Sequence, residues 1–435
     1  MGFNCMSGWG MTNQPCSART SGGRAPLVLA MIVLFVGAPS LPAEGADSTP
    51  VTVDEAVARA EERPALAAVL KGSVAVEHAA SEQAGVWPNP VIQYETERIV
   101  DGEPGAVEDS ASISQSVELS GRRGLRSDAA VQRSEAARQD GLGTLRRMVA
   151  ETRRRFWELV HQQALHAVAN SWVVQLEVAM KRLREHQKAG VVSVYETLQM
   201  GQAMRSARTD LGRSMVEREA AWLELLALTG ELNAPAGWPR VQGTLVPSES
   251  DVRSIAGSQK HPELRAWELR EQAAQLDLKA AERGWVPALD LSGGWRGVEE
   301  GGTSRRQGFQ AGIGLSIPLF DHGQADAAMA RSLKERARSM RELWAEDVRR
   351  QKRPALERAL GLSTLARDVR AKMDAAAEEI RAMAEASWSG GELDVTELLI
   401  VHRSVRDDAL AVLELEHAAR QACVELREVV LGEAP

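Results

Sequence analysis

Between residues 110 and 119, apolar and polar residues take turns along the chain. Ala111, Ile113, Val117 and Leu119 are apolar, while Ser112, Ser114, Ser116 and Glu118 are polar. A period of two marks a β-strand with one apolar and one polar face. The alternation returns over 309–319, where Phe309, Ala311, Ile313, Leu315 and Ile317 share one face and Gln310, Gly312, Gly314 and Ser316 the other. A second strand precedes each of these, near 91–98 and 288–297. The intervening loops carry turn residues: Asp101, Gly102, Pro104 and Gly105 in the first pair, Gly301 and Gly302 in the second.

Everything around these strands follows the other period. Leu165, Val168, Trp172, Leu176, Met180 and Leu183 recur at steps of three and four, the spacing of one helix face. From Gly121 to Gly190 only Gly141 and Gly143 interrupt the helical pattern, and a returning helix runs from Val194 to Leu228. The same layout predicts helices from about Gly323 to Trp388 and from Val395 to Leu431, with Pro354 expected to kink the first of these. Helices this long with narrow apolar stripes pack as coiled coils rather than as a globule. Before each strand pair, shorter helices are expected. Thr52 and Glu55 have capping-box spacing, and Pro64 and Pro262 suit first-turn positions.

Two halves therefore match at a nearly constant offset. Arg63-Pro64-Ala65-Leu66 corresponds to His261-Pro262-Glu263-Leu264, and Val117-Glu118-Leu119 to Ile317-Pro318-Leu319. Gly190 through Glu196 corresponds to Gly391 through Glu397. The ordered matches indicate an internal duplication. The expected division is a first repeat over 51–232, a linker over 233–250 and a second repeat over 251–432.

Composition narrows the class. The chain has 435 residues, a net charge of −8 and only 4% aromatic residues, and it has no basic block of the kind nucleic acid needs. An apolar run from Ala25 to Ala38 follows Arg19 and Arg24. It is too short to span a bilayer as a helix and fits a secretory signal peptide within residues 1–43. An uncleaved N-terminal anchor is the alternative. Removal of that segment leaves Cys423 as the one cysteine, with no intramolecular disulfide and no site for lipoprotein acylation.

Strands of about ten residues suit a transmembrane β-barrel. Four cannot close one, and an open edge in lipid leaves amides without partners. The strands must then be shared between subunits, and three subunits supply twelve. Trp87-Pro88-Asn89-Pro90, the stretch Ser114 to Arg123 and Ile317-Pro318-Leu319-Phe320-Asp321 resemble the TolC-type outer membrane efflux proteins, and so do the two glycine-centred hairpin turns. The resemblance covers about 51–432. The phrase from Val117 to Arg123 is most similar to the heavy-metal branch, the CzcC-like proteins. The implied fold is an α+β membrane protein: a trimeric 12-stranded transmembrane β-barrel, four strands per subunit, continued by a long α-helical coiled-coil barrel. The implied function is a passive outer membrane exit duct for heavy-metal cations. Its implied partners are two further copies of the chain, a periplasmic adaptor, an inner-membrane resistance-nodulation-division pump and outer membrane lipid. The implied location is the outer membrane of a Gram-negative bacterium, with the helical tunnel in the periplasm.

Site residues follow from both readings. On the polar strand faces, Glu95, Glu97, Glu118 and Asp290 are candidates to line the pore, or else ordinary solvated positions. The turns at Gly190-Val191 and Gly391-Glu392 are helix caps, and the resemblance makes them the tips that meet the adaptor. Glu397 is either a solvated helix carboxylate or, by the resemblance, one member of an acidic ring at the periplasmic constriction. Glu196 is its counterpart in the outer hairpin. Relatives carry a second acid where this chain has Ile400 and a base where it has Leu393. Trp87, Trp285 and Tyr94 suit a membrane boundary, with packing beneath the barrel as the alternative for the two tryptophans. The eight histidines show no ligand spacing, and the chain has no HExxH, paired CxxC, phosphate loop or nucleophile elbow. No enzyme, cofactor or fixed metal site is expected. Two rivals remain: a periplasmic coiled-coil scaffold or adaptor, and a secreted hydrolase.

Overall fold

The computed structural model describes residues 50–99, 105–188, 192–230, 241–257, 261–300, 304–432. The expected signal peptide over 1–43, the tip residues Gly190 and Val191 and the first part of the 233–250 linker lie outside the described residues.

Two short helices open the described chain, α1 (Val53–Glu61) and α2 (Pro64–Gly85). The Thr52 hydroxyl accepts from the Glu55 amide while the Glu55 carboxylate accepts from the Thr52 amide. This closes the capping box that the spacing predicts. Strands β1 (Val91–Arg98) and β2 (Val107–Glu118) follow, then α3 (Arg122–Lys188) and α4 (Val194–Thr229). The order then runs again as α5 (Glu249–Ala256), α6 (Pro262–Ala281), β3 (Ala288–Glu299), β4 (Arg306–Ser316), α7 (Gln324–Ser389) and α8 (Val395–Leu431). Pro64 and Pro262 both occupy the first turn of their helices, where a missing N–H costs nothing.

The four strands form one antiparallel sheet in the order β1-β2-β3-β4. Val91 to Arg98 pair with Ser114 to Val107, Val107 to Glu118 with Glu299 to Ala288, and Ala288 to Val298 with Ser316 to Arg306. Three strands differ from the sequence expectation at their ends, β3 by running on two residues to Glu299. β2 starts three residues earlier and stops at Glu118, leaving Leu119 outside. β4 spans 306–316 rather than 309–319, so Ile317, Pro318 and Leu319 are not strand. Pro318 has no N–H to give a ladder, and the Leu319 amide turns back to the Ile317 carbonyl at 3.0 Å.

The long helices are unbroken. α3 has 67 residues and α7 has 66, about 100 Å each at 1.5 Å per residue. Gly141 and Gly143 do not interrupt α3, and α7 runs on through Pro354. Their buried positions gather into separate clusters rather than one centre. One surrounds Phe156, Trp157, Trp222 and Leu225. Another joins Trp172, Leu176, Met180 and Leu183 of α3 to Met200 and Met204 of α4, Trp388 of α7, and Leu398 and Leu399 of α8. A third seats α5 on α7 and α8 through Val252, Ile255, Ala359 and Leu426. Helix-on-helix seams of this kind bury apolar stripes without any wide core.

Candidate channel face and hairpin tips

Antiparallel partners point to the same side of a sheet, so the register sorts the side chains. One side carries Gln93, Glu95 and Glu97 of β1, then Glu108, Ser110, Ser112, Ser114, Ser116 and Glu118 of β2. Across from them come Asp290, Ser292 and Arg296 of β3, with Arg306, Gln310 and Ser316 of β4. All four sequence candidates, Glu95, Glu97, Glu118 and Asp290, share this side. Glu108, Arg296 and Arg306 join them, residues the one-strand-at-a-time reading passed over. The side thus holds five carboxylates and two guanidiniums among the described strands.

These acids are not equivalent. Glu118, at the root of the sheet, takes a hydrogen bond from Arg126 at 2.9 Å and lies 4.0 Å from Arg122, both on the first turns of α3. Asp290 accepts from the Ser316 hydroxyl at 3.1 Å. Glu108 is held by Arg296 at 2.6 Å, while its register partner Glu97 has no such guanidinium. Arginines thus hold the acids near both ends of this side, Glu118 at the helical end and Glu108 at the loop end, while Asp290 has a hydroxyl partner.

The opposite side carries Ile92, Tyr94, Ile113, Val117, Leu291, Trp295, Phe309, Ile313 and Leu315. Phe309 is 95% exposed and Ile92 and Ile313 are each 79% exposed. A continuous apolar face of this kind is anomalous in water. β1 and β4 each pair with one neighbour only, so both edges of the sheet are open. Tyr94 donates to Asp109 at 3.0 Å near the loop end. At the helical end, Arg123 stacks over Trp87 at 3.4 Å, and Trp285 is largely exposed.

At the far ends of the helices lie the turns. Gly391 has φ +77°, a left-handed conformation that a β-carbon disfavours. The Gly391 amide donates to the Trp388 carbonyl and the Glu392 amide to the Ser387 carbonyl, closing the orphan carbonyls of α7. Three residues on, Asp394 caps α8. Its side chain accepts from the Glu397 amide at 2.7 Å, and the Glu397 carboxylate accepts from the Asp394 amide at 2.9 Å. Glu196 does the same for α4 with Ser193, at 2.8 Å from the Ser193 amide. Both glutamates thus have a local structural role that neither sequence alternative contained. The spacings Ser193-x-x-Glu196 and Asp394-x-x-Glu397 carried that signal.

The two hairpins touch near their tips. Arg182 and Glu385 are 3.5 Å apart, Thr396 donates to Gln199 at 3.2 Å, and the His186 and Trp388 rings lie 5.7 Å apart. Further up, Glu158 and His161 of α3 face Glu414 and His417 of α8. His417 reaches Glu158 at 3.2 Å, His161 reaches Glu414 at 3.6 Å, and the two imidazoles stack at 4.4 Å. The hydrogen bond from His417 holds the Glu158 carboxyl down at about 2, with burial acting in the opposite direction. Burial, then the neighbouring imidazole, lowers His161. Among the described residues no group of three or more His, Cys, Asp or Glu side chains converges as a metal site, and no helix is long and apolar enough to cross a membrane.

With this geometry in view, comparisons with known proteins are consistent. The family described as outer membrane efflux protein matches residues 258–432. The outer membrane protein OprJ of Pseudomonas aeruginosa is 24% identical over 330 residues, covering 73% of this chain and 68% of that protein. The nickel-cobalt-cadmium resistance protein NccC of Alcaligenes xylosoxydans xylosoxydans is 23% identical over 277 residues, covering 62% of each. The fold superposes on solved CusC with a TM-score of 0.68 at 16% identity, covering 87% of this chain and 92% of that one. Vibrio cholerae VceC gives the same TM-score at 13% identity, covering 87% and 95%. Residues 258–432 thus match the outer membrane efflux family, and the described fold is that of solved TolC-type outer membrane channels. That family is one of channels rather than enzymes, and the similarities place the chain in the outer membrane with its long helices on the periplasmic side.

Proposed function

We propose that three copies of this chain form an outer membrane exit duct. Each contributes β1–β4 to a twelve-stranded barrel and its α3–α4 and α7–α8 hairpins to a periplasmic tunnel. The observation that carries this reading is the sheet. It has two open edges, an exposed apolar face and an exposed polar face, and only closure with neighbouring copies in lipid satisfies all three. In this reading 51–232 and 251–432 are two copies of one structural repeat joined by 233–250. Glu95, Glu97, Glu118 and Asp290 line the pore, and Glu397 stands at the periplasmic constriction. The turns at Gly190-Val191 and Gly391-Glu392 meet a periplasmic adaptor, which links the duct to an inner-membrane resistance-nodulation-division pump.

Heavy-metal cations are the proposed cargo. Two observations favour them: the excess of carboxylates on the polar side of the sheet, and a relative named for nickel, cobalt and cadmium resistance. The duct itself is passive, and selection belongs to the pump.

Native mass measurement of detergent-extracted protein tests the assembly, with three subunits the expected result. Conductance in planar bilayers tests the channel. A stable soluble monomer that neither inserts nor conducts sinks the proposal and favours the periplasmic scaffold instead.

A further inference from the structure

Midway along the long helices lies a group of enclosed titratable side chains that a passive duct leaves without a role. Glu158 and His161 stand one turn apart on α3, and Glu414 and His417 one turn apart on α8. The helices cross so that each histidine meets the other helix's carboxylate. His417 Nε2 reaches Glu158 at 3.2 Å and His161 Nε2 reaches Glu414 at 3.6 Å. Between these contacts the two rings stack with centroids 4.4 Å apart. Gln162 also donates to Glu158, at 2.9 Å. His161 is 4% exposed within a single chain, so its enclosure does not depend on neighbouring copies. Both Nε2 edges face carboxylates, which assigns the ring hydrogens to Nε2. Both Nδ1 atoms are enclosed without a hydrogen-bond partner.

The packed elements bring other charges to this level, and those have work elsewhere. On α3, Arg154 and Arg155 are taken up by Glu151, Glu224 and Glu428. On α8, Arg420 stacks over Trp157 at 4.0 Å and donates to the carbonyls of Thr244 and Leu245, while Gln421 lies 3.2 Å from His417 Nε2. Glu416 turns to α7, where Arg370 holds it at 2.6 and 2.8 Å with Asp374 beside that arginine, and Lys372 is exposed. α4 brings Arg218 to this level, between the Arg155–Glu224 and His166–Ser214 contacts. α1 brings the exposed Asp54 and Glu55, the latter held in its capping box. Among the described residues no acceptor reaches either Nδ1.

We propose that this crossing is a proton-sensitive latch between the two hairpins, closed while both imidazoles are neutral and loosened when acid charges them. An incoming proton has to settle on an Nδ1 that has no acceptor, and an unpaired buried N–H is costly. Charging both rings adds like-charge repulsion across the stack. Glu158 and Glu414 attract an imidazolium and oppose this, but burial weighs most: it lowers His161, and the His417 ring lowers it further. The stabilisation from His161 is fully present above the ordinary value of 6.5 and is lost as pH falls from there through the folded value. Glu158 keeps its charge over that range, with its carboxyl at about 2. α3 and α8 belong to different hairpins, so loosening here frees α7–α8 to shift against α3–α4. The latch stands on contacts within one chain and does not depend on the duct reading.

The test uses the detergent-solubilised full-length protein. Hydrogen exchange is followed in the α3 segment around His161 and the α8 segment around His417, in neutral and mildly acidic buffer, with intrinsic rates corrected for pH. The parent should lose protection in both segments in acid and regain it on return to neutral. The double variant His161→Gln, His417→Gln should keep its protection, because an amide does not take up the proton. His402→Gln, which alters the second tip, should leave the loss at these two segments unchanged. Ring resonances of the histidines in the parent give a reading without substitution: titration of the pair should track the loss of protection. If the parent holds its protection in mild acid, the latch is overturned. If the double variant loses protection as the parent does, the acid effect lies elsewhere and the latch is overturned. If the double variant fails to assemble, the ring titration decides, and rings that titrate without any accompanying loss of protection overturn the latch.

Discussion

The two helical hairpins share one plan and differ in what their tips do with it. Leu198 and Leu399 stand 201 residues apart at the same place in the plan, yet Leu198 is 65% exposed and Leu399 is 4% exposed. Val194 and Val395 show the same contrast, 65% against 1%. Tyr195 stands where the second hairpin has Thr396, and Gly201 where it has the buried His402. Charge follows suit. Residues 177–213 carry seven bases and four acids, whereas the equivalent window 378–414 carries nine acids and three bases. The second hairpin spends its apolar tip inside the molecule, against Trp388, Met180 and Leu183. The first keeps its apolar tip outside, which is the reason to look for a partner there.

Truncation breaks the comparison most directly. Leu399→Ala empties a packed position and should cost about 2–5 kcal/mol, with the spread set by how far the cavity collapses. Leu198→Ala removes an exposed side chain and should stay within about 0.5 kcal/mol. Hydrogen exchange of the α7–α8 and α3–α4 tips, read in both variants, reports the difference locally. Equal loss of protection in the two hairpins would mean that Leu198 is covered in the assembled protein.

Acid should separate the hairpins next. Burial lowers His402, and Arg381 adds to this while Glu385 opposes it. Its Nδ1 is enclosed without a hydrogen-bond partner, and the Trp172 ring lies 6.2 Å away. The folded hairpin thus holds a neutral imidazole, and the unfolded one protonates first. The stabilisation is fully present above the ordinary value of 6.5 and is lost as pH falls from there through the folded value. Exchange protection at the second tip should fall between neutral and mildly acidic buffer. The first tip, with Gly201 at that position, should hold its protection. His402→Gln should flatten the pH response of the second tip.

Much of this plan is legible from the pattern of residues. Period two places the strands and period three-to-four the long helices, because each period expresses a local geometry. The ends of β2 and β4 are less legible. The alternation runs on through Ile317 and Leu319, but Pro318 cannot donate to a neighbour and the ladder stops at Ser316. The facing of Glu95, Glu97, Glu118 and Asp290 to one side follows from alternation and a hairpin register. The engagement of Glu118 by Arg126 needs the path of the chain into α3. The contrast between Leu198 and Leu399 is not legible at all. Both are leucines at one repeat position, and burial is decided by Trp388 and Met180 arriving from other helices. The crossing of Glu158-x-x-His161 with Glu414-x-x-His417 is hidden for the same reason, since it joins positions more than 250 residues apart.

A smaller effect is expected at the turns. Gly391→Val places a β-branched side chain at φ +77° with no clash in the space around it, so the cost is backbone strain alone, about 1–3 kcal/mol. That should fray the end of α7 and weaken adaptor binding while the barrel stays inserted. Gly190→Val is the matching experiment in the first hairpin. Comparable loss from both indicates two similar turns. Loss from only one identifies the turn that docking depends on.

The smallest change tests the pair Glu196 and Glu397. Each closes a capping box, and glutamine can close the same box by accepting from the same amide. Glu196→Gln and Glu397→Gln should therefore leave stability within about 0.5 kcal/mol of the parent. What glutamine removes is the charge. If the second hairpin lies nearer the threefold axis, three Glu397 carboxylates face one another across the entrance, and a ring of acids favours cations. Exposed carboxylates act through screened water, so each contributes well under 1 kcal/mol to the preference. Single-channel recording at low salt should show a reduced cation preference and weaker block by divalent cations for Glu397→Gln. Glu196→Gln should match the parent. The difference should vanish near 1 M salt, where the Debye length is about 3 Å. Equal selectivity in all three proteins at low salt would confine Glu397 to its role as a cap. An effect of Glu196→Gln alone would place the first hairpin, with its outward leucine, at the constriction instead.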